Sequence, residues 1–203
     1  MDAANREAII QKIIELEAVK KELQSRKYGR DLYLFNTEVL DVATLGELAP
    51  FHKELCDFAT SEGKRKKLIL VPRSHLKSTL VTVGYSLQRI VTNPNVRILI
   101  ANATYDMATT FLSQIKRHLR FNEKLKNIYG DLSQNADRWS ENMLTVVSDQ
   151  SYAKKEATVT AYGIGGNLVS QHYDLIIMDD VVNRDFINTP EQIQELFCFT
   201  RMH

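Results

Sequence analysis

The sequence has 203 residues, of which 44% are hydrophobic and 25% are charged. This composition excludes a disordered or fibrous chain, and at this length a sizeable core forms without metals or disulfides. The 26 basic and 25 acidic residues leave a net charge of +1, which excludes a globally basic nucleic-acid coat, so any contact with DNA must come from local patches.

The cysteines and the hydropathy pattern both indicate a cytosolic protein. Cys56 and Cys198 are far apart and form no disulfide framework and no zinc-ligand spacing, which favours a reducing compartment. No apolar run approaches the ~20 residues of a membrane span. The first ten residues also lack the apolar core and cleavage site of a signal peptide, so we expect no membrane partner.

An amphipathic helix is predicted at the N-terminus. Between residues 2 and 26, aliphatic residues recur every three or four positions, at Ile9, Ile13, Leu16, Val19 and Leu23. Packing of this stripe against the domain's own surface is favoured over a coiled-coil dimer, because the stripe lasts barely two heptads. Residues 1–44 are interpreted as an N-terminal helical extension, and a second short helix is predicted at 50–58.

Strand and helix patterns alternate in the rest of the chain. The apolar runs at 68–71 and 96–101 predict buried parallel strands, and a helix follows each, the first from Lys77 and the second after the N-cap Thr104. Further strands are predicted at 143–148, 157–162 and 174–180, and a capped helix from Thr189. Residues 45–203 are therefore predicted to be an α/β domain with a mainly parallel central sheet flanked by helices.

The strongest functional motif lies between residues 68 and 79, where LILV is followed by PRSHLKST. In a strand, turn and helix of this kind, backbone N–H groups and the helix dipole converge where nucleotide phosphates lie. Lys77 would bridge the β- and γ-phosphates, and the Ser78 hydroxyl would ligate Mg²⁺. The pattern GxxxxGK[ST] is only half met, because Val71 and Leu76 occupy its glycine positions. Leu76 therefore needs an ordinary negative φ or must tolerate strain. The alternative is a strand followed by a basic helix start.

A second signal is the acidic pair Asp179 and Asp180 at the end of the last predicted strand. Ligands of open α/β sheets bind at such strand ends. One carboxylate there can hold Mg²⁺, and its neighbour can orient or deprotonate a water molecule. Arg73 lies in the loop where a guanidinium could reach a γ-phosphate, although a surface arginine explains it equally well.

With these residues, the chain resembles the N-terminal ATPase portion of the large terminase subunit of tailed bacteriophages, the motor that packages viral DNA. The resemblance rests on PRSHLKST (72–79) as a variant Walker A motif, GIGG (163–166), and LIIMDDVV (175–182) as a Walker B motif. The Pro72-Arg73 start is its most discriminating feature. The resemblance covers residues from about 45 onward and implies a P-loop NTPase fold of the ASCE type.

The resemblance also implies a role for each motif residue. Asp180 takes the catalytic carboxylate position, which is glutamate in many members, and acts with Arg73 and Lys77, while Ser78 and Asp179 hold Mg²⁺. Phe51 and His52 resemble the adenine-contacting segment. The residues that the resemblance implies bind the phosphates of ATP are Pro72, Arg73, Ser74, His75, Leu76, Lys77, Ser78 and Thr79.

The partners implied by the resemblance are double-stranded DNA, a homo-oligomeric ring on a portal and the small terminase subunit, in the cytoplasm of an infected bacterial host. A basic side chain from a neighbouring subunit would complete the site. Arg138, Lys154 and Lys155 are candidates, because all three lie in the stretch before the Walker B motif. The chain stops at His203, which suggests a fragment that lacks the coupling motif and the nuclease domain.

Two other functions are consistent with the same motifs. The missing loop glycines and the early C-terminus favour a nucleotide-responsive module that holds DNA or a partner without turning ATP over. A helicase-like remodelling ATPase shares the same loop chemistry. For DNA contact, the basic clusters at 64–67 and 116–120 are candidates, although such charge runs are usually just solvated.

Overall fold

The protein has an α/β fold, as predicted, with a five-stranded sheet flanked by helices. This computed structural model describes residues 3–46, 48–134, 136–146, 156–164 and 171–182. The α-helices in these ranges are α1 (Ala3–Arg30), α2 (Leu32–Leu34), α3 (Pro50–Thr60), α4 (Ser86–Thr92), α5 (Tyr105–Phe121) and α6 (Glu123–Tyr129). The strands are β1 (Ile98–Asn102), β2 (Arg138–Ser140), β3 (Met143–Thr145), β4 (Val159–Gly163) and β5 (Leu175–Met178).

The sheet is mixed and has the strand order β2-β3-β4-β1-β5. β1 lies between β4 and β5 and pairs in parallel with both, and all five of its residues are buried. β3 pairs antiparallel with β2 and with β4. The prediction of a parallel sheet therefore holds for β4, β1 and β5 and not for the hairpin at the other edge. The carboxyl ends of β1 and β5 lie at the same edge of the sheet.

One predicted strand does not form. Residues 68–71 belong to no strand, and Leu68 and Leu70 are 76% and 82% exposed. Only Ile69 and Val71 pack against the core. The prediction of a buried strand was wrong because a strand needs a neighbour for its hydrogen bonds, and within the described ranges no strand pairs with this segment.

The helix predictions are mostly confirmed. α3 begins at Pro50 as expected, and the helix after Lys77 consists of a π-helical stretch, Ser78–Tyr85, that runs directly into α4. The Thr104 hydroxyl caps α5 by accepting the backbone N–H of Met107 at 3.3 Å. The sequence did not predict α6 and β2, and the helix predicted from Thr189 lies outside the described residues. The buried stripe of α5 is the predicted one, Ala108, Phe111, Leu112, Ile115 and Leu119.

The N-terminal segment divides into an exposed part and a part that belongs to the core. From residue 5 to residue 23, every residue of α1 is exposed, so the prediction that its apolar stripe packs on the domain is not confirmed. From Tyr28 onward one side of the segment is buried, with Leu32, Phe35 and Val39 in the hydrophobic core. No helix in the described ranges is both long enough and apolar enough to cross a membrane.

A buried asparagine joins this N-terminal segment to the helix Ser78–Tyr85. Asn36 is fully buried, and its Nδ2 donates to the carbonyl of Leu32 at 2.9 Å and to that of Leu80 at 3.2 Å. Its Oδ1 points at Gly84, where a Cβ would lie only 2.0 Å away. The absence of a side chain at Gly84 therefore lets the two segments approach closely.

We expect the substitution Gly84→Ala to destabilise the fold. An alanine usually stabilises a helix by about 1 kcal/mol relative to glycine, but here the new methyl group would displace the Asn36 amide from its two backbone acceptors. Overpacking of this kind costs about 1–3 kcal/mol, and the broken hydrogen bonds add to it. The net loss is measured as the free energy of unfolding in urea, followed by circular dichroism.

Gly46→Ala is the matched control. The backbone at Gly46 is extended, and a Cβ there would have its nearest neighbour at 3.8 Å, an ordinary contact. This variant should unfold within about 0.5 kcal/mol of the wild type. Equal stabilities of the Gly84 and Gly46 variants would contradict the role assigned to the close approach.

Candidate nucleotide site

The two charged motifs meet at the carboxyl end of β5. Lys77 Nζ lies 2.7 Å from Asp179 Oδ1 and 3.4 Å from Asp180 Oδ1. Lys77 stands directly before the helix Ser78–Tyr85, and the two aspartates directly follow β5. The structure thus brings together side chains that the sequence predicted to share one pocket, although about half of the chain separates them.

Asp179 is held from three sides besides Lys77. Only 3% of the residue is exposed, and its Oδ2 accepts the Thr82 hydroxyl at 2.8 Å. Its backbone N–H donates to the carbonyl of Ala101 at 2.9 Å, and its own carbonyl accepts Nδ2 of Asn102 at 2.6 Å. The helix therefore holds the carboxylate of Asp179, and β1 holds its main chain at the end of β5.

These contacts determine the charge state of the pair. Burial acts to raise the pKa of Asp179, but the polar contacts of its carboxylate with Lys77, Ser78 and Thr82 outweigh it and hold that pKa below its usual value. For Lys77, burial acts to lower the pKa, but the two aspartates outweigh it and the pKa is raised. Both groups are therefore charged at neutral pH.

The turn before Lys77 contains unusual backbone geometry. Ser74 and Leu76 have φ values of 65° and 56°, and Asp180 across the pocket has 46°. These are three of the four non-glycine residues with positive φ in the described ranges. Leu76, at the second glycine position of the motif, thus adopts a glycine-like conformation and tolerates its strain, which costs of order 1–3 kcal/mol. Such strained residues cluster at functional sites.

A cleft opens beside this turn. It has a volume of about 260 Å³ and lies between residues 45–46, 49 and 51–52 on one side and residues 74–76 on the other. The rings of Phe51 and His75 both line it, with centroids 5.7 Å apart and their planes tilted by 56°. The structure therefore places Phe51 and His52, the residues predicted to contact adenine, next to the turn that precedes Lys77.

His52 contributes a buried ring nitrogen to this region. It is 3% exposed, and its Nδ1 lies 2.8 Å from the backbone nitrogen of Ala49 and 3.1 Å from its carbonyl oxygen. Nε2 is buried and has no hydrogen-bond partner among the described residues. A buried polar atom without a partner is costly, so a polar group on a bound molecule would stabilise it.

Other predicted site residues are more exposed or lie elsewhere on the sheet. Arg73 is exposed and forms no ion pair within the described ranges, and the side chain of Asp180, although 3.4 Å from Lys77, is 75% exposed. Arg138 lies on β2, at the opposite edge of the sheet from β5. Lys154 and Lys155 lie outside the described residues, as does the second half of GIGG. Gly163, its first glycine, has a packing role, because a Cβ there would lie 2.6 Å from the backbone nitrogen of Tyr105.

Two residues that orient Asp179 were not predicted from the sequence. Thr82 is one turn after Ser78 on the same helix, and Asn102 is the polar residue that ends β1. Both positions carry a signal: a hydroxyl four residues after Ser78, and a polar side chain at the carboxyl end of a buried strand. Neither signal is specific without the knowledge that β1 and β5 are neighbours.

The donor set fits Mg²⁺ only in combination with a phosphate. No cluster of three or more acidic, histidine or cysteine side chains occurs in the described parts of the chain, so these residues form no all-protein metal cage. However, Oδ1 of Asp179 is buried and has no hydrogen bond of good geometry, only the ion pair with Lys77. One carboxylate beside one hydroxyl, Ser78, is the usual protein contribution to Mg²⁺ bound with a nucleotide.

Comparison of the chain with protein-family models, with curated proteins and with solved structures finds no match. The site is therefore characterised by its own geometry. It combines a buried carboxylate, an ammonium and a hydroxyl at a helix start, beside a strained turn and a cleft with an aromatic wall.

We expect Lys77→Met to destabilise the protein at pH 7 because it leaves Asp179 buried without its cation. Breaking a buried ion pair costs about 3–5 kcal/mol, and we expect about 3 because Lys77 is a quarter exposed. The loss should shrink as the pH falls from 7 to about 4. Without Lys77, burial raises the pKa of Asp179, so the folded variant takes up a proton more readily than the unfolded chain.

The double variant Lys77→Met/Asp179→Asn provides the control, measured by urea unfolding at both pH values. It should recover part of the loss at pH 7, because no unpaired charge remains. Equal and pH-independent losses for the single and double variants would contradict the coupling of the two charges.

Proposed function

We propose that this chain is a Mg²⁺-dependent P-loop ATPase, the motor domain of a DNA-packaging machine like the terminase large subunits that its motifs resemble. In this proposal, ATP hydrolysis drives double-stranded DNA into a procapsid. The observation that carries the proposal is the 2.7 Å pairing of Lys77 with Asp179 at the carboxyl end of β5. It joins the lysine of one nucleotide-binding motif to the first carboxylate of the other.

Phosphate binding follows from the position of Lys77. The helix that begins at Ser78 has no side-chain hydrogen bond at its N-cap, and the first N–H groups of a helix have no partners within it, so they can bind a phosphate. When a triphosphate binds, the ammonium of Lys77 is attracted to the β- and γ-phosphates, and Asp179 then needs another cation. Mg²⁺, when bound, neutralises phosphate charge, and Ser78 and Asp179 are the residues that would hold it.

The exposed residues around the pair supply the remaining chemistry. Asp180 points into solvent beside Asp179, where its carboxylate would orient or deprotonate the attacking water. Arg73 is exposed on the turn and would stabilise the charge that develops on the γ-phosphate. The base of the nucleotide fits the adjacent cleft, where Phe51 offers a stacking surface and His52 a buried ring nitrogen.

A basic and aromatic cluster on the far side of the domain suits contact with duplex DNA. Lys116 and Arg120 lie over the Trp139 ring, 5.7 and 6.0 Å from its centroid, and Phe121 beside them is 68% exposed. α5 begins at the nucleotide edge of the sheet and is about 25 Å long, so the cluster lies at its opposite end. A shift of α5 on hydrolysis would therefore be transmitted to the DNA.

We expect Lys77→Ala to lower ATP turnover at least ~100-fold, because it removes a preorganised positive charge from the transition state. Phosphate release is measured with saturating Mg²⁺ and ATP. Lys124→Ala, which removes an exposed lysine paired with Asp41, is the matched control and should retain wild-type turnover. Unchanged turnover in the Lys77 variant would refute the proposal.

A binding measurement separates the ATPase from a module that binds nucleotide without turnover. Phe51→Ala should weaken ATP binding about 10-fold through the loss of base stacking, and Phe58→Ala, on the same helix, should not. ATP binding with these properties but without phosphate release from the wild type would support the alternative module and overturn hydrolysis.

For DNA, we expect Lys116→Ala and Arg120→Ala to weaken binding of a duplex. Each variant should also reduce the slope of log affinity against log salt by about 1, because each removes a positive charge that neutralises one phosphate. Fluorescence anisotropy with a labelled duplex measures both quantities. Lys64→Ala and Arg65→Ala remove exposed basic residues elsewhere and serve as the comparison. If only the Lys64 and Arg65 variants weaken binding, the cluster around Trp139 is not the surface that binds DNA.

A further inference from the structure

The first part of α1 carries an apolar face that nothing in the described structure covers. Seven large aliphatic side chains between Ile9 and Leu23 are 44–64% exposed. Isolated exposed aliphatic residues are common on protein surfaces, but a continuous row along one helix is typical of an interaction surface.

The other end of α1 is firmly anchored, so the exposed part has a defined position. Tyr28 is buried, and its carbonyl accepts Nε2 of Gln88 at 2.7 Å. Lys27 forms an ion pair with Glu38 at 2.8 Å, and the Tyr129 hydroxyl donates to the carbonyl of Ser25 at 3.3 Å. The apolar face therefore extends from the domain on a helix whose base is fixed.

The spacing of the aliphatic residues follows a heptad. With Ile13 at position a, the d positions are Ile9, Leu16 and Leu23, and the next a position is Lys20. Ile10 and Val19 then fall at positions e and g, where they widen the apolar seam that the a and d positions form. Ile14 lies outside this seam. A lysine at one a position reduces stability but specifies register and oligomeric state.

We propose that α1 pairs in parallel with α1 of a second copy of this chain. Charge complementarity favours this partner and this direction. In a parallel pair, a g residue meets the e residue five positions later on the other helix, so Lys12 of each copy would meet Glu17 of the other. The pairing buries the row Ile9, Ile13, Leu16 and Leu23 and forms two symmetric ion pairs, independently of the proposed nucleotide chemistry.

Sedimentation velocity of the full chain tests the association. The wild type should be a dimer at concentrations on the order of tens of micromolar, and Leu16→Glu should weaken the dimer at least ~100-fold, because it places two like charges in the seam. Ala18→Glu adds the same charge on the opposite face and should leave the dimer intact. A monomeric wild type, or a dimer that persists in the Leu16 variant, would overturn the proposal.

Disulfide trapping tests the direction. In a Cys198→Ser background, Ile9→Cys and Leu23→Cys should each crosslink to its own copy in a parallel pair. In an antiparallel pair, at most one of these two positions lies next to the same position of the other copy. If either variant failed to crosslink, the parallel arrangement would be overturned. The outward-facing Ala18→Cys is the control that should not crosslink. Cys56 does not interfere, because it is buried and burial raises its pKa to about 12.

Discussion

The buried carboxylate of Asp179 is the constraint on which the rest of the site depends. A charge on a residue that is only 3% exposed is stable only when other groups compensate it, and the ammonium of Lys77 and the hydroxyl of Thr82 do so. The main chain of Asp179 is bonded to β1, through the carbonyl of Ala101 and the side chain of Asn102, so the position of the carboxylate couples the helix with β1 and β5. A ligand that drew Lys77 away would leave an unpaired buried charge.

The strained turn is best understood together with this ion pair. Ser74 and Leu76 have left-handed backbones without being glycine, and such conformations persist only when the surroundings impose them. Val71 before the turn and Leu76 at its end both pack partly against the core, and Lys77, the next residue, is held by the aspartates. The turn is thus fixed at both of its ends.

The two ends of α1 lie in different surroundings, one at the core and one exposed. From Tyr28 the chain supplies core residues, and Asn36 ties it to the helix that carries Lys77. Before residue 24 the same helix has no covering layer in the described structure. Self-association through this part would join neighbouring domains through a helix whose base is bonded to α4, which continues the helix Ser78–Tyr85.

Local patterns in the sequence determined the α/β class, the cap and buried stripe of α5, and the membership of Lys77 and Asp179 in one site, because these depend on periodicity and motif spacing. Three features were decided only by the tertiary structure. Residues 68–71 have the pattern of a buried strand, but strand formation depends on a neighbour that no local pattern specifies. Thr82 and Asn102 became site residues only when β1 and β5 were adjacent, and an amphipathic stripe shows that a face of α1 favours burial without showing what covers it. In each case the outcome depends on the presence or absence of contacts between residues far apart in the chain.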